Sequence, residues 1–215
     1  MQCVSAEEAI ALIPDGSAIM VGGFMGIGTP ERLMDELVRQ GKRNLTVIAN
    51  DNARPSVGVG KLVGAGLVKK TICSHIGLNP ETQKKMFEKS IEVELVPQGT
   101  FVERIRAGGS GLGGILTPTG VGTDVEEGKQ KLEVGGRVYL VETALHADFA
   151  LVHTFLCDYI GNLQYALTAR NFNPVMVMAA GTVIVEAEHI VPVGFISPDR
   201  VMTPAPLVDY VVSCE

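Results

Sequence analysis

Four short strand-like segments, at 18–21, 45–49, 70–73 and 91–96, recur through the first half of the chain, and the intervals between them carry helix-like patterns. This alternation through residue 106 constrains the fold more than any other feature. Strands that alternate with helices predict a parallel sheet with right-handed crossovers. A parallel strand is buried on both faces, so it reads as an unbroken apolar run and not as a polar–apolar alternation. The expected class is therefore α/β, with a mostly parallel open sheet covered by helices on both faces. The second half departs from the pattern. Residues 128–142 alternate polar and apolar around Gly135-Gly136, the signature of a β-hairpin. Further strands are predicted at 148–156, 175–187 and 205–213, as mixed-sheet additions to the same fold.

Local signals agree with this reading. Ser5 and Glu8 have the spacing of a capping box, so a short helix is expected to open there. The run 18–21 leads into Gly22-Gly23-Phe24-Met25-Gly26-Ile27-Gly28, after which Thr29 reads as an N-cap and Pro30 as a first helical residue. Leu33/Leu37 and Met34/Val38 then place an apolar stripe on the following helix.

Composition narrows the function classes. The 215 residues suit one large domain over 1–215 with a substantial core. A net charge of −6 and the absence of Trp speak against nucleic acid as a partner. No apolar run reaches the roughly 18 residues of a membrane span. Cys3, Cys73, Cys157 and Cys214 lack metal-site or disulfide-framework spacing, and the N-terminus lacks a basic n-region, so the expected location is cytoplasmic, with reduced thiols and no metal.

Candidate chemistry lies at the carboxyl ends of the predicted strands, where open α/β sheets bind ligands. The loop Gly22–Gly28 is read as ligand-facing, because four glycines in seven positions exceed what a connection of this kind needs; a methyl at Gly26 is then expected to obstruct ligand. Asn50-Asp51-Asn52 ends the second strand, Ser74-His75 the third and Pro97-Gln98-Gly99 the fourth. The Asn trio reads equally as a crevice or a surface turn, and His75 more simply as structural. Eight of the 25 glycines fall within 97–124, and interleaved apolar residues argue for an ordered, backbone-rich cavity wall. Gly109, Gly111 and Gly114 form a formal G-x-G-x-x-G, but a helix-like segment precedes it where a dinucleotide site needs a strand.

Six motifs in order add a resemblance. The segment 15–30, Ile48-Ala-Asn-Asp51, Val96-Pro-Gln-Gly-Thr100, Glu103-Arg-Ile-Arg-Ala-Gly-Gly-Ser-Gly111, Leu116-Thr-Pro-Thr-Gly-Val-Gly122 and Asn171-Phe-Asn-Pro174 together resemble the alpha subunit of family I coenzyme A transferases. One departure is Thr203-Pro204-Ala205, where the family usually has Thr-Pro-Gly. The resemblance implies transfer of coenzyme A between a short-chain acyl-CoA and a free carboxylate, of the acetate, acetoacetate or butyrate type. It implies a coenzyme A thioester as substrate with no bound cofactor, and a hetero-oligomer such as α2β2 or α4β4. A glutamate on the beta subunit, whose motif this chain lacks, would form an acyl anhydride and then a glutamyl-CoA thioester. Asn50, Gln98 and Gly99 would orient groups and donate hydrogen bonds to developing oxyanions, each such donor worth about 3 kcal/mol. The loop Gly22, Gly23, Phe24, Met25, Gly26, Ile27 and Gly28 would contact coenzyme A or line the acyl pocket. Two other readings stand beside it: a noncatalytic subunit that only stabilises a partner, and a sugar-phosphate isomerase of related fold. The latter needs clustered Lys and Asp at strand ends, which Asn50, Ser74 and Gln98 do not offer.

Overall fold

The computed structural model describes residues 1–213. In chain order its elements begin with β1 (Gln2–Cys3), α1 (Ala6–Ala11), β2 (Ala18–Val21), α2 (Glu31–Gln40), β3 (Leu45–Ala49) and α3 (Val59–Gly64). They continue with β4 (Val68–Cys73), α4 (Pro80–Phe87), β5 (Glu92–Leu95), α5 (Gln98–Gly109), β6 (Gly114–Thr117), β7 (Lys131–Val134) and β8 (Arg137–Thr143). The last are β9 (Ala147–Asp158), β10 (Leu163–Gln164), α6 (Asn173–Met176), β11 (Ala180–Val191) and β12 (Tyr210–Ser213).

The main sheet has nine strands among the described residues, in the order β1-β12-β11-β9-β2-β3-β4-β5 with β10 paired to β9. Every pairing along that order is parallel, and only β10 runs antiparallel. Period-2 alternation divides the buried side chains between two faces. Ile19, Val21, Val47 and Ala49 pack with Leu33, Met34 and Leu37 of α2 and Leu62 of α3. Met20 and Ile48 join Phe101 and Ile105 of α5 and Met176 of α6 on the other side. Helices cover both faces, as the apolar runs predict. The chain proceeds outward from β2 to β5 in one direction and from β9 to β12 in the other. The reversal between β2 and β9 is a topological switch point, where such sheets leave a crevice.

A second, antiparallel sheet has the order β6-β8-β7. Gly135 and Gly136, at φ 59° and 76°, make the two-residue turn between β7 and β8 as the hairpin reading expects. Arg104 ties this sheet to α5: its Nε donates to the Thr143 carbonyl at 2.8 Å and its guanidinium pairs with Glu94 at 3.2 Å.

Several expectations need correction. The segment 97–124 is not one cavity wall. Its first half is α5, where a Cβ on Gly108 would lie 2.1 Å from the Leu145 carbonyl and one on Gly109 2.5 Å from Met178 Cβ. These glycines let the helix approach its neighbours closely; Gly99 lies in its first turn, Gly114 begins β6, and Gly111, Gly113, Gly120 and Gly122 lie in the turns on either side of that strand. Thr29 does not cap α2. Pro30 occupies that position, and Thr29 is buried with Oγ1 where a Cβ on Gly23 would stand. Residues 175–178 are not strand, because Asn173 and Pro174 start the short α6 and β11 begins only at Ala180. The final strand starts at Tyr210, after a 3-10 turn at Ala205–Leu207. Ala205 is absent from the residues with positive φ, so alanine replaces the family glycine there without backbone strain. The capping box at Ser5 and Glu8 forms as read. Cys3, Cys73 and Cys157 are free thiols, while Cys214 lies outside the described residues.

Candidate active site

The carboxyl ends of β2, β3 and β4 and the start of α5 surround a crevice of about 460 Å³. Its lining includes Phe24, Met25, Asn50, Ser74, His75 and Gln98, and Leu78 closes the side toward α4. Asn50, Asp51 and Asn52 are 2%, 6% and 1% exposed, so the trio is not a surface turn; Asn50 and Asp51 line the crevice, while Asn52 is buried with Thr71 and Thr82.

Asp51 organises the floor of this crevice. Its Oδ2 accepts from Met25 N at 2.9 Å and from Asn50 Nδ2 at 2.6 Å, while Oδ1 accepts from Ala53 N at 2.7 Å. A carboxylate offers only acceptors, so the Asn50 atom facing it must be the amide nitrogen. Asn50 Oδ1 then turns to Gln98, whose Nε2 donates to it at 2.7 Å, and to the Ser74 hydroxyl at 3.2 Å. One buried carboxylate thereby sets the orientation of two amide side chains in series. Each amide nitrogen carries two hydrogens and uses one within this chain of bonds. The second hydrogens of Asn50 and Gln98 are donors available to a ligand.

The glycine loop is shaped by the protein around it. Phe24 and Ile27 exchange backbone hydrogen bonds at 3.0 and 2.9 Å across Met25 and Gly26, both at positive φ. This is the geometry of a tight two-residue hairpin turn. A Cβ on Gly22 would stand 1.8 Å from Asn173 Oδ1, and one on Gly28 2.9 Å from Ala169. A methyl at Gly26 would meet Val57 Cγ1 at 2.5 Å, a contact inside the protein that the expectation of direct ligand obstruction did not include. The loop instead presents apolar side chains: Phe24, Met25 and Ile27 are 40%, 39% and 54% exposed. Of the loop residues, Phe24 and Met25 are the ones that line the crevice.

Of the other candidates, Asn50 and Gln98 meet, whereas Gly99 faces a neighbouring cleft between α5 and β6. Sequence reasoning assigned no role to Asp51, Asn171 or Asn173. Asn171 Oδ1 accepts from Gly23 N at 3.2 Å and its Nδ2 donates to the Ile27 carbonyl at 2.9 Å, while Asn173 Nδ2 donates to the Gly28 carbonyl at 2.9 Å. These two asparagines clamp the loop from some 145 residues away in sequence. The Asn-Phe-Asn-Pro motif was the signal for them, but only the fold reveals what they hold. His75 lines the crevice at the end of β4, in an isolated parallel bridge with Asp51.

Among the described residues no group of three or more His, Cys, Asp or Glu could hold a metal ion. No helix among them is long and apolar enough to cross a membrane.

Residues 3–213 match the sequence profile described as "Coenzyme A transferase". The acetate CoA-transferase subunit alpha of Escherichia coli (strain K12) is 51% identical over 209 residues, covering 97% of this chain and 95% of that protein. The acetoacetyl-CoA:acetate/butyrate CoA transferase alpha subunit of Clostridium acetobutylicum is 52% identical over 206 residues, 96% of this chain and 94% of its own length. Among solved structures, an acyl-CoA transferase from E. coli O157:H7, in a thioester complex with CoA, superposes with a TM-score of 0.87 at 26% identity and 98% coverage of this chain. This chain spans 46% of that longer polypeptide. With the fold and the profile in agreement, the chain belongs to the coenzyme A transferase family, as a subunit of the alpha type.

Proposed function

We propose that this chain is the alpha half of a short-chain acyl-CoA:carboxylate CoA-transferase, working in a cytoplasmic hetero-oligomer with a beta subunit. The observation that carries the proposal is the Asp51–Asn50–Gln98 relay, a set of oriented donors beside a single carboxylate. Both Asp51 oxygens are occupied by N–H groups of the fold, so Asp51 is suited to orient and not to attack.

The nucleophile is then the glutamate that the family resemblance assigns to the beta subunit. Its carboxylate adds to the thioester carbonyl, and negative charge grows on the carbonyl oxygen. The free N–H groups of Asn50 and Gln98 stabilise that oxygen, acting where charge develops and needing no reorganisation at that moment. Coenzyme A departs as the thiolate and leaves a mixed anhydride. The thiolate then attacks the glutamyl carbonyl of the anhydride, releasing the first acyl group as a free carboxylate and leaving glutamyl-CoA. A second carboxylate reverses both steps and leaves as the new acyl-CoA. Phe24, Met25 and Leu78 supply an apolar wall suited to a short acyl chain. Stoichiometry such as α2β2 or α4β4 belongs to this proposal as well.

The test is transfer by the assembled enzyme across a panel of carboxylates. Acetoacetyl-CoA or butyryl-CoA with acetate is expected to give the highest kcat/KM. A preference for dicarboxylates, or no transfer with any short monocarboxylate, overturns the reading.

A further inference from the structure

The first turn of α2 is held by a residue from the other half of the main sheet. Pro30 gives that helix no side-chain cap, so the N–H groups of its first turn need partners from elsewhere. Glu186 of β11 supplies one. Its Oε2 accepts from Leu33 N at 3.0 Å, and the Arg32 N–H also favours its charged form. The residue is 3% exposed. A carboxylate suits the positive end of a helix dipole, but taking its charge out of water is costly. Burial pushes the Glu186 carboxyl up to about 7, against the opposing effect of the two N–H groups and of the Arg32 charge. A glutamine there accepts from Leu33 N with no charge to bury. A carboxyl adds the capacity to change charge near neutral pH.

The turn that Glu186 holds is coupled to the crevice through Thr29. The Thr29 N–H donates to the Gly26 carbonyl at 3.3 Å, and its Oγ1 stands where a Cβ on Gly23 would be. Gly23 and Gly26 flank Phe24 and Met25, the two loop residues that line the crevice. A shift in the first turn of α2 therefore passes through Thr29 to the crevice wall.

Among the described residues, the charged groups that face Glu186 from α2 are Arg32 and Glu31. The Arg32 guanidinium donates to the Ser213 carbonyl, and Glu31 is drawn toward α3 by Gly58 N at 2.8 Å and Lys61 at 2.6 Å. In register with Glu186, β12 places Val212, which does not titrate, and β9 places His153. Partners in register project to the same face of a sheet. His153 Nε2 lies 3.1 Å from Glu188 of β11, and burial lowers its pKa below the ordinary histidine value. A neutral imidazole that donates to Glu188 from Nε2 leaves Nδ1 as a bare acceptor. That atom is buried and has no hydrogen-bond partner among the described residues. A protonated Glu186 needs an acceptor for its O–H, and a helix N-terminus offers only donors. His153 Nδ1 is an acceptor without a donor on the adjoining strand.

Resting on the transferase reading above, we propose that Glu186 is a positioning residue: its carboxylate holds the first turn of α2, and with it the glycine loop, in the geometry that sets Phe24 and Met25 at the crevice, and uptake of a proton releases that hold by turning the acid toward His153.

The experiment measures kcat/KM for acetoacetyl-CoA with acetate between about pH 5.5 and 8.5 on the assembled enzyme, unmodified and carrying Glu186→Gln. The unmodified enzyme is expected to lose roughly fivefold as the pH falls through about 7, the difference between a charge-assisted and a neutral hydrogen bond. Glu186→Gln, neutral throughout, is expected to show the lowered value at every pH and no such limb. A limb that persists in Glu186→Gln, or a variant as active as the unmodified enzyme at the alkaline end, overturns the proposal. Thermal denaturation over the same range gives a second readout. The folded carboxyl holds its proton more tightly than the unfolded one, so the stability it contributes is fully present below its ordinary value of 4.5 and is lost as the pH rises through about 7. The melting temperature of the unmodified protein is expected to fall by about 5 °C relative to Glu186→Gln across that window. Parallel melting curves overturn the titration, and diverging melting curves with identical pH–rate profiles make Glu186 structural only and overturn the positioning role. If Glu186→Gln does not assemble with the beta subunit, Glu186→Asp keeps the charge and shortens the reach to Leu33; an unchanged kcat/KM at the alkaline end then overturns the proposal. An unmodified enzyme inactive with every short carboxylate sinks the transferase reading, and the melting curves, which need no turnover, judge Glu186 separately.

Discussion

Replacing Gln98 with alanine is expected to lower turnover of the assembled enzyme by roughly ten- to a thousandfold, with a melting temperature close to that of the unmodified protein. Gln98 is the exposed first residue of α5, and among the described residues its side chain bonds only to Asn50 Oδ1. Truncation removes one donor to the developing oxyanion and frees Asn50 on one side. It leaves core volume intact, so stability has little to lose. Steady-state kinetics and thermal denaturation on the same preparation separate the two effects. An unchanged kcat contradicts the role given to Gln98.

Asp51→Ala is expected to damage both properties. The carboxylate is 6% exposed and satisfies Met25 N, Ala53 N and Asn50 Nδ2 together. Buried donors left unpaired cost about 1–3 kcal/mol each, and partial entry of water reduces the sum, so a loss of about 3 kcal/mol is expected. For a chain of this size that is roughly a 6–12 °C lower melting temperature. Turnover should fall as well, because Asn50 loses the acceptor that fixes its amide orientation and the loop tip loses its anchor at Met25. A melting temperature within about 2 °C of the unmodified protein would show that Asp51 does not organise the site.

The contrast between these two residues shows what a sequence makes legible. Gln98 and Asn50 stand just past the ends of strand-like segments, and strand ends in a parallel sheet deliver side chains to a crevice. Their place follows from local pattern and topology. The role of Asp51 follows from three bonds, one of them to the glycine loop 26 residues away, and no periodicity encodes that. Asn171 and Asn173 are a stronger case, since their loop partners lie on the other side of the switch point. The main sheet was legible because strand-like segments alternate with helix-like ones, the most buried of them, such as Ala18–Val21, as an unbroken apolar run, and the hairpin because Gly135 and Gly136 supply two consecutive positive φ values. Local rules failed where tertiary packing overrode them. Thr29 is a good N-cap by type, but its side chain fills the space between Gly23 and Gly58, leaving Pro30 to begin the helix. The apolar run at 175–178 reads as strand, yet Pro174 and the bonds of Asn173 turn it into a short helix. The glycines at 108–109 are read as wall, but they serve close approach of α5 to Leu145 and Met178.

The central claim is a division of labour, in which this chain supplies oriented donors and the beta subunit supplies the carboxylate that forms the covalent intermediate. The most direct measurement is mass spectrometry of the assembled enzyme after incubation with acyl-CoA and rapid quenching, with each polypeptide weighed separately. The account predicts a coenzyme A adduct on the beta subunit, none on this chain, and no transfer by this chain alone. A coenzyme A adduct on this chain, or turnover without a second polypeptide, would contradict it.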